Sequence, residues 1–560
     1  MRISETSDVW WKTAVIYCLD VETFMDWNDD GVGDFQGAAE RLDYLAELGV
    51  TCLWLMPFYP TADRDDGYDI TDYYGVDPRF GTAGDFVELV HTARDRGMRV
   101  IVDLVVNHTS DRHPWFKASR SSTTSPYRDF YVWRDDEPPD TTKEVVFPDQ
   151  ETSIWEYDEK SAQWYLHRFY RCQPDLNITN PQVRDEIVKV LGYWLELGIS
   201  GFRVDAVPFM LQTDGVDAAE LERFPDPHEY LRSLRSFVGR RTGDGILLGE
   251  VNLPHKDQKT FFGGRDGDEL TMQFDFIGMQ NTYLALARQD ARPLVRALQK
   301  RPATSRQSQW ATFLRNHDEL TLDKLSDAER QEVFAAFGPD PAMQLYGRGL
   351  RRRLPTMLEG DPRRIRMAYS LMFSLPGTPV LFYGEEIGMG ENLDVEGRLA
   401  VRTPMQWSDQ PNGGFSGARS SRLPRPMVDG AFGPEHVNVA QQRTDPSSLL
   451  EFIALLIRRY RESPELGWAD FKVLDQPHRH VLAHESAWDD RRIVAVHNLS
   501  PESCIVPLHL EGCDRSAHLI DLLQSTQDTS IDDAGRCEVA LDGYGYRWLR
   551  LGSHTSKRLA

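Results

Sequence analysis

The chain has 560 residues, with 63 Lys plus Arg against 87 Asp plus Glu and a formal net charge of −24. Such a chain repels phosphate backbones and anionic lipid, which argues against nucleic acid or a membrane surface as partner. A hydrophobic share of 41% with 11% aromatics excludes a disordered chain and is ample for a sizeable core.

Taken in chain order, apolar runs rich in Val, Ile, Leu or Phe fall at residues 14–19, 52–58, 99–108, 201–207, 246–251, 271–276, 311–318 and 378–383. Each reads as a strand buried on both faces. Helical patterns lie between them, notably over 35–48, 85–96, 181–197 and 363–375. Ala38, Leu42, Leu45 and Leu48 share one helix face, and Gly49 is a stop signal. Pro181 after Asn180 is a helix start. Eight strands alternating with helices predict an α/β fold, a (β/α)8 TIM barrel.

Two stretches interrupt the alternation. Residues 109–172 follow the third strand without helical period and read as an inserted subdomain. Residues 319–365 follow the seventh strand and include Arg351-Arg352-Arg353, most simply a solvated helix face. An apolar helix over 449–460 should close the barrel. Beyond it, short alternating runs at 492–496, 504–510, 518–523 and 546–551 predict a C-terminal antiparallel β domain. The expected division is a barrel over 1–108 and 173–465, an insert over 109–172, and a β-sandwich over 466–560.

The six cysteines show no CxxC and no zinc-like Cys/His spacing. The N-terminus, MRISETSDVWW, lacks the basic-then-apolar run of a signal peptide, and no run of 18 apolar residues occurs. A soluble cytoplasmic protein is the expectation.

In a barrel, chemistry sits at the C-terminal ends of strands. The third run ends Asp103-Leu-Val-Val-Asn107-His108. The fourth reads Gly201-Phe-Arg203-Val-Asp205, the fifth ends Gly249-Glu250, and the seventh ends Arg315-Asn316-His317-Asp318. Period-two alternation puts Arg203 and Asp205 on one side. Any one polar strand end could be a cap. Four carboxylates and two His over four strand ends are hard to explain so. Near the N-terminus, Asp26-Trp-Asn28-Asp-Asp30-Gly31-Val32-Gly-Asp34 places oxygen side chains at positions 1, 3, 5 and 9 with Gly at 6, as a calcium loop does. Position 12 is Gly37, so this is not an EF-hand; an acidic turn without an ion is the alternative.

These motifs, with Gln173-Pro-Asp175-Leu-Asn177, resemble the signature regions of the α-amylase family of glycoside hydrolases and transglycosylases, family 13, along nearly the whole barrel. The resemblance implies Asp205 as nucleophile, Glu250 as general acid/base and Asp318 as transition-state stabiliser. It implies Asp103, His108, Arg203 and His317 around the sugar. Asp65 and Tyr68, in Asp65-Asp66-Gly67-Tyr68, would join them. Arg402, in Arg402-Thr-Pro-Met-Gln-Trp407, would pair with Asp65. The calcium loop resembles that of the oligo-glucosidase branch, where Asp26, Asn28, Asp30, the Val32 carbonyl and Asp34 would bind a structural Ca2+; no organic cofactor is implied. Paired carboxyls roughly 5–5.5 Å apart make a retaining enzyme with a covalent intermediate. Glu250 should then have the raised pKa while Asp205 stays ionised beside Arg203.

Residues 347–365, 374–380, 384–390, 64–69 and 125–133 resemble the members that interconvert maltose and trehalose by intramolecular transglucosylation through a glucosyl-Asp205 intermediate. A small α-glucoside is therefore the expected partner, and self-association into a homo-oligomer is left open. One departure stands out: Glu22 occupies a place where the family normally carries a basic residue nearby. The alternative is an α-glucosidase hydrolysing or transglucosylating short α-glucosides. A non-catalytic sugar-binding or partner-binding relative is opposed by the intact Asp205, Glu250 and Asp318.

Overall fold

The structure, a computed structural model, describes residues 9–216, 218–264, 267–489, 491–513, 517–524 and 528–552, without the side chains of 219 and 220. Residues 1–8, part of the stretch read for a leader, lie outside the described residues.

Eight parallel strands close into a barrel in sequence order: β1 (Ile16–Leu19), β2 (Cys52–Leu55), β3 (Arg99–Leu104), β4 (Gly201–Val204), β5 (Ile246–Gly249), β6 (Met272–Phe274), β7 (Gln309–Thr312) and β8 (Thr378–Phe382). All four residues of β1, β2, β4 and β5 are buried, as helices on the outside and side chains on the inside require. The seventh strand differs from expectation. Residues 313–318 leave the ladder, and Arg315 donates to the carbonyls of Asp318 (2.6 Å) and Arg352 (2.8 Å). Polar side chains with partners at the barrel mouth outcompete strand pairing there.

The helix Pro181–Glu196 starts where expected, with the Asn180 side chain capping the Gln182 N–H and Pro181 in its first turn. It buries Val183, Ile187, Val190, Leu191 and Trp194. The pattern over 35–48 breaks at Arg41 into helices Phe35–Glu40 and Leu42–Leu48, and Gly49 ends the second at φ 97°. The helix Leu449–Arg461 carries Tyr460, whose hydroxyl donates to the Gly377 carbonyl at 2.9 Å, just before β8.

Three short antiparallel strands, Trp133–Arg134, Trp155–Asp158 and Gln163–Leu166, form a separate sheet after β3. At the chain's end, a six-stranded antiparallel sheet faces the pair Cys504–His509 and Arg536–Leu541. Val481, Val494, Val506, Leu508, Val539 and Leu549 fill the space between them. This β domain leans on helix Pro362–Ser374: Trp548 Nε1 donates to Ser370 Oγ at 3.0 Å, and His497 Nε2 lies 2.9 Å from the same oxygen. The run Arg351–Arg353 is not a solvated helix face. Arg353 is buried and donates to the carbonyls of Tyr383, just after β8, and of Val401, at the end of a later turn, where buried carbonyls need donors. No helix of the described residues is long and apolar enough to cross a membrane.

Candidate active site

Arg203, on β4, is the hub of the barrel mouth. Its Nη1 donates to Asp103 (2.5 Å) and to Asp205 (2.6 Å), and its Nη2 donates to Glu250 (2.7 Å). Period-two alternation aims Arg203 inward, while Phe202 and Val204 are buried. Asp103 also accepts from Trp54 Nε1 at 2.8 Å, so β2 braces β3. The chain turns sharply after Asp205: Ala206 holds φ 47°, a strained value for a residue with a Cβ. That turn points the Ala206 N–H at Glu250 Oε2, 3.2 Å away.

Burial disfavours the ionised carboxylates and sets their order. It lifts Glu250 to about 7, against Arg203 and helped by Asp205 and Asp318. It lifts Asp205 and Asp103 each to about 6, Arg203 opposing. The expectation for Asp205 is corrected in part: it is raised too, because burial outweighs one guanidinium shared three ways, yet it stays below Glu250. His317 is lowered to about 4 by burial, with Asp318 opposing. It is therefore neutral at pH 7. Its Nε2 lies 2.7 Å from Tyr68 OH and 3.2 Å from Asp318 Oδ2, and its ring stacks on Tyr68. His108 Nε2 sits 3.2 Å from the Tyr68 carbonyl.

The expected Arg402–Asp65 pair does not form. Arg402 Nη1 binds Asp66 (2.5 Å) and its Nη2 binds Asp318 (3.0 Å). Asp65 instead pairs with Arg398 (2.6 Å), which also reaches Asp318 (2.7 Å), and accepts from Gln173 Nε2 (2.8 Å). The cause is the turn at Asp66, with φ 51°, which sends the two neighbouring carboxylates different ways. Against the pull of burial, His317, Arg398 and Arg402 hold Asp318 well below the usual carboxylate range. Arg398 is a site residue that sequence reasoning missed. Its only signal is a second arginine four residues before Arg402.

Arg425 was missed as well, and it accounts for Glu22. Its guanidinium pairs with Asp20 (3.4 Å), Glu22 (2.8 Å) and Asp66. Glu22 also accepts from Arg79 at 2.8 Å. The charge reversal at position 22 is thus answered by a cation from the Gly/Pro-rich segment beyond β8. Asp20, Glu22 and Asp66 are also the one trio of metal-type ligands converging within 4.8 Å among the described residues, and Arg425 reaches into it.

Asp65, Tyr68, His108, Asp205, Glu250 and Asp318 line one cavity of about 400 Å³; Asp103, Arg203, His317 and Arg402 are buried and do not line it. Phe147 and Phe169, from the insert, and Glu319 and Arg348, from beyond β7, line it too. The two segments meet over the cavity. Arg348 Nη1 donates to the Val146 carbonyl at 2.6 Å, and Phe147 and Tyr346 rings lie 5.0 Å apart. Arg398 sits 5.2 Å from the Phe147 ring centre.

The acidic loop near the N-terminus is held by its own backbone. Asp26 accepts from Asp29 N (2.9 Å) and Gly31 N (2.8 Å), Asn28 from Asp30 N, Asp30 from Val32 N, and Asp34 from Trp27 N and Gly37 N. Ser416 donates to Asp26 at 2.5 Å. Gly31, at φ 108°, has no room for a Cβ, which would fall 2.5 Å from the Arg422 carbonyl oxygen. Among the described residues no Lys, Arg or His pairs with Asp26, Asp30 or Asp34. Their carboxylates do not converge as the Asp20–Glu22–Asp66 trio does. A fit to an ion therefore depends on the exposed Asn28 and Asp30 side chains turning inward.

The alpha amylase catalytic-domain family matches residues 18–334 and 351–468, and a sucrose hydrolase-like C-terminal domain matches 491–550. The trehalose synthase of Pimelobacter sp. (strain R48) is 40% identical over 554 residues, covering 97% of this chain and 96% of that protein. An oligo-1,6-glucosidase of Bacillus cereus is 29% identical, covering 89% and 92%. Among solved structures, the trehalulose synthase of Pseudomonas mesoacidophila MX-45 superposes with TM-score 0.75 at 28% identity, covering 97% of this chain and 99% of that one.

Proposed function

This chain belongs to the α-amylase family, and we propose that within it the protein interconverts maltose and trehalose. In this reading Glu250 protonates the glycosidic oxygen while Asp205 attacks the anomeric carbon, giving a glucosyl-Asp205 ester and a bound glucose. The glucose turns over, and its anomeric hydroxyl attacks the ester. Its proton passes to Glu250, so the acid is restored. One guanidinium holds both carboxyls, which supports the close pairing that double displacement needs. Asp318, kept ionised by Arg398 and Arg402, would hold sugar hydroxyls and steady the cationic transition state.

The observation that carries isomerisation over hydrolysis is the roof. The Arg348–Val146 bond and the Phe147–Tyr346 contact tie two loops across the cavity. An isomerase must exclude water and keep the released glucose at high effective concentration. Maltose should give mainly trehalose, with a minority of glucose, and labelled glucose added to the mixture should enter disaccharide poorly. Glucose as the main product at all times would transfer the reading to an α-glucosidase, the activity named for the Bacillus cereus relative.

Two further parts of the reading are supported more locally. The loop over 26–34, with side chains of Asp26, Asn28, Asp30 and Asp34 and the Val32 carbonyl, would take a structural Ca2+; the absence of a cationic partner for its acids among the described residues supports this. A cytoplasmic location is supported by Cys18, Cys52, Cys172, Cys504 and Cys537, which carry free thiols, as a reducing compartment keeps them.

A further inference from the structure

A second cleft, of about 430 Å³, lies where the insert meets the loop after β2. It is lined by five cations, Arg64, Arg112, Lys117, Arg120 and Lys160, and by one carboxylate, Asp111. Arg64 pairs with Asp111, and Arg120 with the buried Asp158. Arg112, Lys117 and Lys160 have no ion-pair partner among the described residues. The five come from three separate stretches, so folding, not a basic run, brings them together. In a chain of net charge −24 this is a local reversal of sign. Concave walls focus such a field, and like charges held together favour an anion between them.

We infer that this cleft binds a phosphate dianion, free or carried on a small sugar. Planar guanidinium forks match phosphate oxygens, and the lysines add compact charge. A long polyanion is disfavoured by the negative charge of the rest of the chain. Occupation is felt at the catalytic pocket. The Arg64 and Asp65 N–H groups both donate to Asp69 Oδ1, at 3.1 and 3.2 Å, and Asp65 lines that pocket. A ligand that draws Arg64 toward it therefore strains the loop carrying Asp65. This second clause rests on the proposed reading of the active site; the binding itself does not.

The test compares melting temperatures of the full chain in chloride, inorganic phosphate and glucose 6-phosphate at one ionic strength. Its partner is the variant Arg112→Ala/Lys117→Ala/Lys160→Ala, whose three positions are exposed. Phosphate should raise the melting temperature of the unmodified chain progressively with concentration, as ligand linkage requires, and the triple variant should lose that response. A response to inorganic phosphate assigns the free ion; a response to the ester alone assigns a phosphorylated sugar. Equal melting temperatures in all three salts, or a response undiminished in the variant, overturn the site. Should the triple variant not fold, Lys160→Ala alone must weaken the response severalfold or the inference is lost. KM for maltose should shift with phosphate in the unmodified chain; an unmoved KM at saturating phosphate overturns the coupling through Asp69. Absence of any maltose turnover speaks against the proposed function and leaves the thermal comparison intact.

Discussion

Two buried arginines in this barrel each gather three carboxylates. Arg203 holds Asp103, Asp205 and Glu250; Arg425 holds Asp20, Glu22 and Asp66. Burial lifts an acid in each: Glu250 to about 7 and Glu22 to about 8. They differ in two ways. The second cluster recruits further cations, Arg79 on Glu22 and Arg402 on Asp66, while among the described residues the first has Arg203 alone. The first opens on the catalytic cavity, which Asp205 and Glu250 line, and the second does not. Crowded acids with displaced proton affinity thus do not mark a catalytic centre by themselves. A reachable face and an uncompensated charge do, since only there can a proton be exchanged with a substrate.

The sharpest way to break this contrast is at Asp205. Asp205→Asn keeps the shape and most hydrogen bonds and removes the nucleophile. Turnover of maltose should fall by about 10⁴-fold or more, the scale on which loss of a catalytic group acts in other hydrolases. Circular dichroism and melting temperature should change little. Near-normal turnover would remove Asp205 from the mechanism. The second cluster predicts the opposite balance. Arg425→Met leaves three buried acids short of a partner and should cost about 3–5 kcal/mol of stability. Asp66 would keep Arg402 but lose its other support, so Arg402 and Asp318 should shift slightly. A displacement of that size can cost roughly 100-fold in kcat/KM. Chemical denaturation together with kinetics separates the two effects. If Arg425→Met lost turnover without losing stability, the structural assignment of this cluster would fail.

The open cluster also predicts a pH profile. Asp205 must be deprotonated to attack, so activity should rise through about pH 6. Glu250 must carry its proton, so activity should fall above about pH 7. The kcat/KM profile should be a narrow bell between those values, changing about tenfold per unit on each limb. Glu250→Gln should abolish the alkaline limb along with most activity. A profile flat from pH 5 to 9 would contradict the order of the two acids.

The barrel could be read from sequence because most of its buried strands are short apolar runs and several of its helices begin with a capping residue, such as Thr82, Asn180 and Asp361. Asp103, Arg203, Asp205 and Glu250 could be read for the same reason: they sit at strand ends, where period and position suffice. Asp65 lines the cavity, but its arginine is Arg398 and not the expected Arg402. Asp65 and Asp66 are adjacent, and only a positive φ at Asp66 decides which carboxylate faces which cation. Beyond β8, Arg398 lies in a single 3-10 turn and Arg425 in irregular chain, and neither offers a periodicity that reports direction. Arg425 is 403 residues from Glu22, its partner. The end of β7 was overextended because Phe313 and Leu314 continue the apolar run past the last paired residue.

A third set of acids has neither kind of environment. The loop over 26–34 follows closely on the short helix Val21–Phe24 that carries Glu22, yet its Asp26, Asp30 and Asp34 have neither an arginine among the described residues nor a face on the catalytic cavity. Backbone N–H groups satisfy several of their oxygens without cancelling their charge. A cation is what remains to do so, and Ca2+ takes such oxygen ligands flexibly. Binding to the folded loop alone stabilises by mass action, about 2.7 kcal/mol at a hundredfold excess over Kd. Chelation should therefore lower the melting temperature by a few degrees, with Ca2+ restoring it, while the ratio of trehalose to glucose from maltose stays fixed. Asp30→Ala should abolish the response to chelator and leave Arg425→Met as destabilising as before, since the Arg425 cluster compensates its own charge. A product ratio that moved with calcium would place the ion's influence inside the catalytic pocket. A melting temperature indifferent to chelator would show that the loop's own hydrogen bonds suffice.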